Sequence, residues 1–221
     1  MPVFKKSRLV HIHIPKTGGS FIERSITEIE GVELWSSSKV GPRQFNNRWF
    51  ELQHLTLLEL PMFAHNVLDN YHSFAVLRNP YERLVSEYLW RWRPIDFDVY
   101  NNVVRFHSFE AMIDAIPTDI NSNWDYYISQ ANKQFANFLI HIRPQNHYVC
   151  KLDGSIGVDQ LIKFETIDPD LNNYLSRFDR VIPHIRSPQK IRHSTYFHNQ
   201  IVNLVNDIYA QDFEIGGYDM L

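Results

Sequence analysis

Two kinds of apolar pattern alternate along the chain: short continuous runs of strand length, and longer stretches with helical spacing. Residues 9–14 (LVHIHI) form a strand-length run that stops at Pro15 and a group of turn residues. From Ser20 onward Ile22, Ile26 and Ile29 share one helical face, and Gly31 is placed to cap that helix. The spacing therefore predicts a strand–loop–helix unit at the start of the chain. A second unit follows at residues 73–77, a strand-like run leading into Arg78, with Asn79 and Pro80 as N-cap and first helical residue. Tyr81, Leu84, Val85, Tyr88, Leu89 and Trp92 then recur at helical spacing, which predicts an amphipathic helix with those positions on its buried stripe.

Elsewhere the pattern is weaker. Residues 50–60 and 63–70 read as helices, as does the segment near 109–116, which is followed by a polar, aromatic stretch through Tyr127. A strand near 160–164 precedes Asp168-Pro169, a cap-and-proline helix start, and a last long helix is predicted over about 196–212. Ile201, Leu204, Val205, Ile208 and Tyr209 of that helix face the core. Strands alternating with helices predict an α/β fold, a P-loop-like three-layer sandwich with a central, mostly parallel sheet flanked by helices. Ligands in such folds bind beyond the carboxyl ends of the strands, so chemistry is expected in the loops after residues 14 and 77.

Composition narrows this picture. A chain of 221 residues suits a single domain over 1–221. The net charge of −3 gives no overall field for a polyanion, so an anionic ligand needs a local cluster. With no basic run and no RNA-binding signature, nucleic acid is not an expected partner. Cys150 is the one cysteine, which rules out an internal disulfide and favours a reducing compartment; it reads as a small buried apolar residue. No stretch approaches the roughly 18 apolar residues of a membrane span. The basic start, Met1 to Arg8, is not followed by a signal-peptide core, so a cytoplasmic location is expected.

The loop Pro15-Lys16-Thr17-Gly18-Gly19-Ser20 joins the first strand to the first helix. Two glycines let the backbone turn tightly, so that successive N–H groups make an anion nest. The helix N-terminus adds partial positive charge, Thr17 and Ser20 offer hydroxyls, and Lys16 supplies a full charge. It is not a Walker A loop, because the lysine precedes the glycines instead of following them. The plain alternative is a glycine-rich turn with a solvated lysine. In the second loop Arg78 leaves its strand with a forked guanidinium suited to phosphate. Ser86, just off the apolar stripe, can face the same ligand, while Arg83 and Glu87 read as a surface pair four residues apart. One strand-end arginine is more often an ion-pair partner; two anion-binding loops at two strand ends favour phosphate.

The segments HIHIPKTGGSFIE and FAVLRNPYERLVSEY resemble the 5′-phosphosulfate and 3′-phosphate loops of sulfotransferases that use 3′-phosphoadenosine 5′-phosphosulfate (PAPS). The likeness is strongest to the carbohydrate branch and its bacterial relatives. Further similarity lies at His141-Ile142-Arg143-Pro144-Gln145, at Leu161-Ile162-Lys163-Phe164-Glu165-Thr166, and at Tyr209-Ala210-Gln211-Asp212-Phe213 with Gly217-Tyr218. The resemblance implies that Lys16 contacts the phosphosulfate and steadies the leaving phosphate. It implies that Thr17, Gly18, Gly19 and Ser20 hold the 5′-phosphate, that Arg78 and Ser86 bind the 3′-phosphate, and that no metal is needed.

An in-line sulfuryl transfer rests mostly on positioning and charge stabilisation, by analogy with phosphoryl transfer. The acceptor hydroxyl must also lose a proton, and histidine suits that task at neutral pH. Among eleven histidines, His54 ranks first because it precedes the second loop by about the interval seen in related sugar sulfotransferases. His141 and His65 follow, and a structural role making a backbone hydrogen bond is the plain alternative for His54. His11 and His13 read as structural. Trp90 and Arg91 are candidates for the acceptor side, Trp92 for the core, and Arg192 and Ser194 for closure over the nucleotide. The rival readings are a P-loop-type nucleotide kinase and a non-catalytic nucleotide-binding protein. The kinase would need a carboxylate where the second strand ends in Arg78. The non-catalytic protein would be expected to lack Lys16 or the histidine.

Overall fold

A computed structural model describes residues 1–30, 42–92, 103–182 and 195–221; Gly31, Arg93, Arg192 and Ser194 lie outside them. The chain divides into two compact units. One comprises Met1–Ser37, Gln53–Arg78 and Gln145–Gln189, the other Ser38–Leu52, Asn79–Pro144 and Lys190–Leu221.

The first unit is built on a four-stranded sheet in the order β1 (Val3–Phe4), β2 (Leu9–Ile12), β5 (His72–Leu77) and β6 (Gln160–Lys163). β1 is an antiparallel edge, and the other three strands are parallel, with Val10 opposite Ser73 and Leu77 opposite Lys163. β2 is buried on both faces, which is why it reads as an apolar run without alternation. Leu9, Phe74 and Ile162 share one apolar cluster with Ile22 and Ile26 of α1 (Gly19–Glu30) and Leu171 of α9 (Ile167–Ser176). Burying Ile22 and Ile26 contributes roughly 1.5–3 kcal/mol each. Asp159 accepts from both the backbone N–H and the hydroxyl of Ser73, at 2.7 and 2.9 Å, and pins the start of β5 beside β6. A mixed, mostly parallel sheet flanked by helices is the α/β arrangement that the pattern predicts.

Residues 50–70 depart from the expectation of two helices. They form a 3-10 turn at Leu52–His54 and two short helices, α2 (Leu60–Phe63) and α3 (Val67–Asn70). Thr56 and Glu59 bond each other's backbone N–H reciprocally, at 2.9 and 3.2 Å, and Asn66 is left-handed at φ 61°. Both devices fix turns where the apolar spacing alone would continue a helix. α9 begins at Ile167, before the Asp168-Pro169 pair, which lies inside its first turn. Cys150 is half-buried instead of buried.

The second unit is mainly helical. A hairpin of β3 (Arg43–Phe45) and β4 (Arg48–Phe50) turns through Asn46 and Asn47, both left-handed, as a tight hairpin requires. α4 (Pro80–Arg91) starts as predicted, with the Asn79 side chain accepting from the Tyr81 N–H at 3.0 Å. Then come α5 (Phe109–Asp114), α6 (Trp124–Gln130), α7 (Lys133–Ile142) and, in the first unit, α8 (Asn146–Val149). Asn123 and Asn132 cap α6 and α7. The predicted last helix is two, α10 (Asn199–Ile208) and α11 (Ala210–Gly216), broken at Tyr209, whose hydroxyl donates to the Ile142 carbonyl at 2.6 Å.

The stripe on α4 needs correcting. Tyr81, Leu84 and Val85 are buried, but Leu89 and Trp92 are exposed, at 40% and 48%. Arg83, Glu87 and Arg91, one helical turn apart, are buried in their place. The expected surface pair of Arg83 and Glu87 is therefore a buried charged row. Arg83 donates to the carbonyls of His141 and Arg143 at 2.8 and 2.7 Å, and Glu87 binds Arg91 and His141. These ion pairs and carbonyl hydrogen bonds make such burial tolerable.

Candidate active site

The first loop leaves β2 at Ile12 and enters α1 at Gly19. Lys16 and Gly18 both have positive φ, 69° and 88°, the left-handed backbone conformation from which anion nests are made. Gly19 admits no side chain, because a Cβ there would run into the His13 imidazole. α1 carries no acidic residue in its first turn, so the positive end of its dipole is unopposed there. Lys16 is half-buried and Ser20 exposed. Thr17 differs from expectation: its buried hydroxyl donates to the Ile14 carbonyl at 2.9 Å, so that donor braces the loop.

Arg78 stands at the end of β5 and is 5% exposed. Its Nη1 donates to the Lys16 carbonyl at 3.1 Å, so the structure brings Lys16 and Arg78 together. The guanidinium carbon lies 4.4 Å from the centre of the Phe164 ring. The side-chain amide of Gln145 clamps the Arg78 peptide, accepting from its N–H at 2.9 Å and donating to its carbonyl at 2.8 Å. Sequence reasoning singled out neither Phe164 nor Gln145 as a site residue. The parallel register of β5 and β6 was the signal for Phe164, since it follows Lys163 as Arg78 follows Leu77. Ser86 is half-buried in the second turn of α4.

His54 is buried, with Nδ1 2.9 Å from the His13 carbonyl. A carbonyl only accepts, so Nδ1 carries a proton, and the tautomer this selects has its lone pair on Nε2. The expected backbone hydrogen bond thus exists and fixes the tautomer that a base would use. The rings of His13 and His54 meet edge-on at 4.4 Å, and His11 stacks on His13 at 5.3 Å. Glu23, unforeseen from the sequence, contacts His13 Nδ1 and accepts from Gln53 at 3.3 Å. Burial raises the Glu23 carboxyl above its ordinary value. Burial, then the neighbouring His13, lowers His11 to about 3, so His11 is neutral, as its structural reading requires. His65 is exposed in the turn between α2 and α3.

His141 sits in the second unit with Glu87 Oε2 3.1 Å from Nδ1 and Glu51 Oε2 3.6 Å from Nε2. Burial pulls its pKa down, but the two carboxylates outweigh burial and leave it above the ordinary histidine value. Arg91, expected on the acceptor side, is buried in the same network, its Nη2 2.6 Å from Glu87. Trp90 lies against His141 with ring centres 5.1 Å apart. Among the described residues no helix is long and apolar enough to cross a membrane.

Nothing among curated proteins or solved structures matches the chain. A family model described as "Sulfotransferase family" matches residues 1–219, which include both loops, His54 and the last helices. Nearly the whole chain is thus accounted for, and the protein belongs to the sulfotransferase family.

Proposed function

We propose that the protein transfers a sulfuryl group from PAPS to a hydroxyl of a carbohydrate. The observation that carries this reading is the contact between the two anion loops, Arg78 Nη1 to the Lys16 carbonyl at 3.1 Å. A nucleotide bearing charge at both its 5′ and 3′ ends requires two such loops at a fixed separation. The strand end that offers a guanidinium also supports a phosphate ligand over the metal-binding carboxylate of a kinase.

Two features of the loop support a phosphate there: the left-handed backbone at Lys16 and Gly18, and the close packing of Gly18 and Gly19 on the rings of Phe164 and His13, which holds the loop in place. PAPS, when bound, supplies the sulfuryl group on a phosphate leaving group. The N–H groups of Thr17, Gly18, Gly19 and Ser20 and the start of α1 hold the 5′-phosphate. Lys16 stabilises the charge that develops on that phosphate. Arg78 holds the 3′-phosphate, the role the sequence also gives Ser86. His54 takes the proton of the acceptor hydroxyl on Nε2. The single cysteine, Cys150, agrees with a reducing, cytoplasmic setting.

Calorimetry with 3′-phosphoadenosine 5′-phosphate (PAP) and with ATP tests the donor. PAP should bind tightly, ATP weakly, and Arg78→Ala should cost ~2–5 kcal/mol. His54→Ala should retain PAP binding and lower turnover by ~10²–10⁴. Equal or better binding of ATP with Mg²⁺ would move the assignment to a nucleotide kinase. Tight PAP binding without turnover on any hydroxyl acceptor would make it a non-catalytic binding protein.

A further inference from the structure

We propose that Phe164 is a positioning residue for the anion site, its ring fixing the plane of the Arg78 guanidinium beside the first loop. The proposal rests on the reading of that site as one for a bisphosphorylated nucleotide.

Among the contacts of Arg78, those with Gln145, Lys16 and Phe164 do different things. The Gln145 amide holds the backbone, at 2.9 and 2.8 Å, and so sets where the side chain begins. The Lys16 carbonyl accepts one of the five guanidinium N–H groups, at 3.1 Å. That bond fixes one point of the guanidinium and not, by itself, the plane of the group. The face of Phe164, 4.4 Å from the guanidinium carbon, sets that plane.

The placement of the ring follows from the sheet. Leu77 and Lys163 are paired across β5 and β6, so the residues that follow them, Arg78 and Phe164, leave the sheet side by side. Phe164 opens a 3-10 turn, Phe164–Thr166, that carries the chain into α9. The same ring reaches the first loop: a Cβ at Gly18 would stand 2.9 Å from its Cε2. Gly18 already has φ 88°, so a side chain there would be doubly disfavoured, by the backbone and by the ring. One aromatic side chain therefore lies against both the backbone of the phosphate loop and the arginine of the second loop. A phenyl ring brings no charge and no hydrogen bond to a phosphate. Its loss separates the orientation of Arg78 from the charge of Arg78.

The test is PAP calorimetry on wild type, Phe164→Leu, Phe164→Tyr, Arg78→Ala and the double variant Arg78→Ala/Phe164→Leu. Phe164→Leu should bind PAP about tenfold more weakly, a loss of ~1.4 kcal/mol, while Phe164→Tyr stays within about threefold because it keeps the aromatic face. Adding Phe164→Leu to Arg78→Ala should change nothing further, since the ring acts through the arginine. Unchanged binding by Phe164→Leu, or the same loss with and without Arg78, overturns the proposal while leaving the donor assignment standing. No PAP binding by wild type overturns both. A ligand-free readout covers the case in which Phe164→Leu does not fold. In wild-type ¹H–¹⁵N spectra the Arg78 Nε–H, assigned by its loss in Arg78→Ala, should be shifted upfield by the ring; an unshifted resonance refutes the stacking.

Discussion

Replacing Arg91 by methionine asks whether the buried charges of the second unit stand as a network or as separate pairs. Arg91 is fully buried, with Nη2 2.6 Å from Glu87 Oε1 and 3.3 Å from Asn137 Oδ1, and Nη1 donating to the Val104 carbonyl at 3.0 Å. Methionine fills much of the same volume but offers no donor and no charge. Breaking one side of a buried ion pair typically costs ~3–5 kcal/mol, because the remaining carboxylate is left without its counter-charge. His141 still faces Glu87 at 3.1 Å, so the loss belongs within that range and not above it. At roughly 2–4 °C per kcal/mol for a chain of this size, the thermal midpoint should drop by ~6–20 °C. Urea denaturation followed by far-UV circular dichroism measures the loss. The double variant Arg91→Met/Glu87→Gln should regain half of it or more, since the second change removes the orphaned charge. A loss under ~1 kcal/mol, or a double variant no more stable than Arg91→Met, would refute the network.

The same network makes stability depend on pH. His141 titrates above its ordinary value in the folded protein, so its stabilisation is complete below about pH 6.5 and is lost as pH rises through the raised value. Urea midpoints measured upward from about pH 6 should fall in wild type and flatten in Glu87→Gln. His11 has the opposite sign. Its folded value of about 3 means that stability is whole above the ordinary histidine pKa and falls as pH drops toward that value. His11→Phe, which keeps the stacking on Phe74 at 4.8 Å, should remove about 2 kcal/mol of the stability lost between neutral pH and about pH 5. An acid limb unchanged in His11→Phe would show that other groups carry it. Gly19→Ala drives a methyl group into the His13 ring; it should weaken PAP binding by tenfold or more and lower the thermal midpoint, and wild-type values for both would contradict the packing under the loop.

Sequence pattern located the parts of this protein that depend on local rules. β2, β5, the start of α4 and the loop between β2 and α1 were visible because an apolar run, an Asn-Pro cap or paired glycines act over a few residues. Residues 50–70 were misread because apolar spacing is blind to the Thr56–Glu59 exchange and to the left-handed Asn66. The face of α4 was misjudged for a different reason. Arg83, Glu87 and Arg91 look like a solvated row until their partners are known, and those partners, His141, Arg143, Asn137 and Val104, are at least 13 residues away in sequence. Glu23 and Gln145 were hidden likewise, since each acts on a backbone or ring brought near it by the sheet.

The histidines show how geometry ranks candidates that composition leaves equal. Serving as a base requires a lone pair on a ring nitrogen. His141 faces carboxylates from both nitrogens and is held toward the doubly protonated form, which has none. His11 keeps a lone pair but is completely buried, between His13 and Phe74. His54 is bound at Nδ1 by a carbonyl, a partner that fixes the tautomer without adding a negative charge. That carbonyl belongs to His13, whose ring underlies Gly19 and whose Nδ1 is held by Glu23. The proposed base and the phosphate loop are therefore referenced to one residue. A shift of His13 would move both, which is a physical reason for a buried carboxylate to be kept beneath the loop proposed to receive the 5′-phosphate.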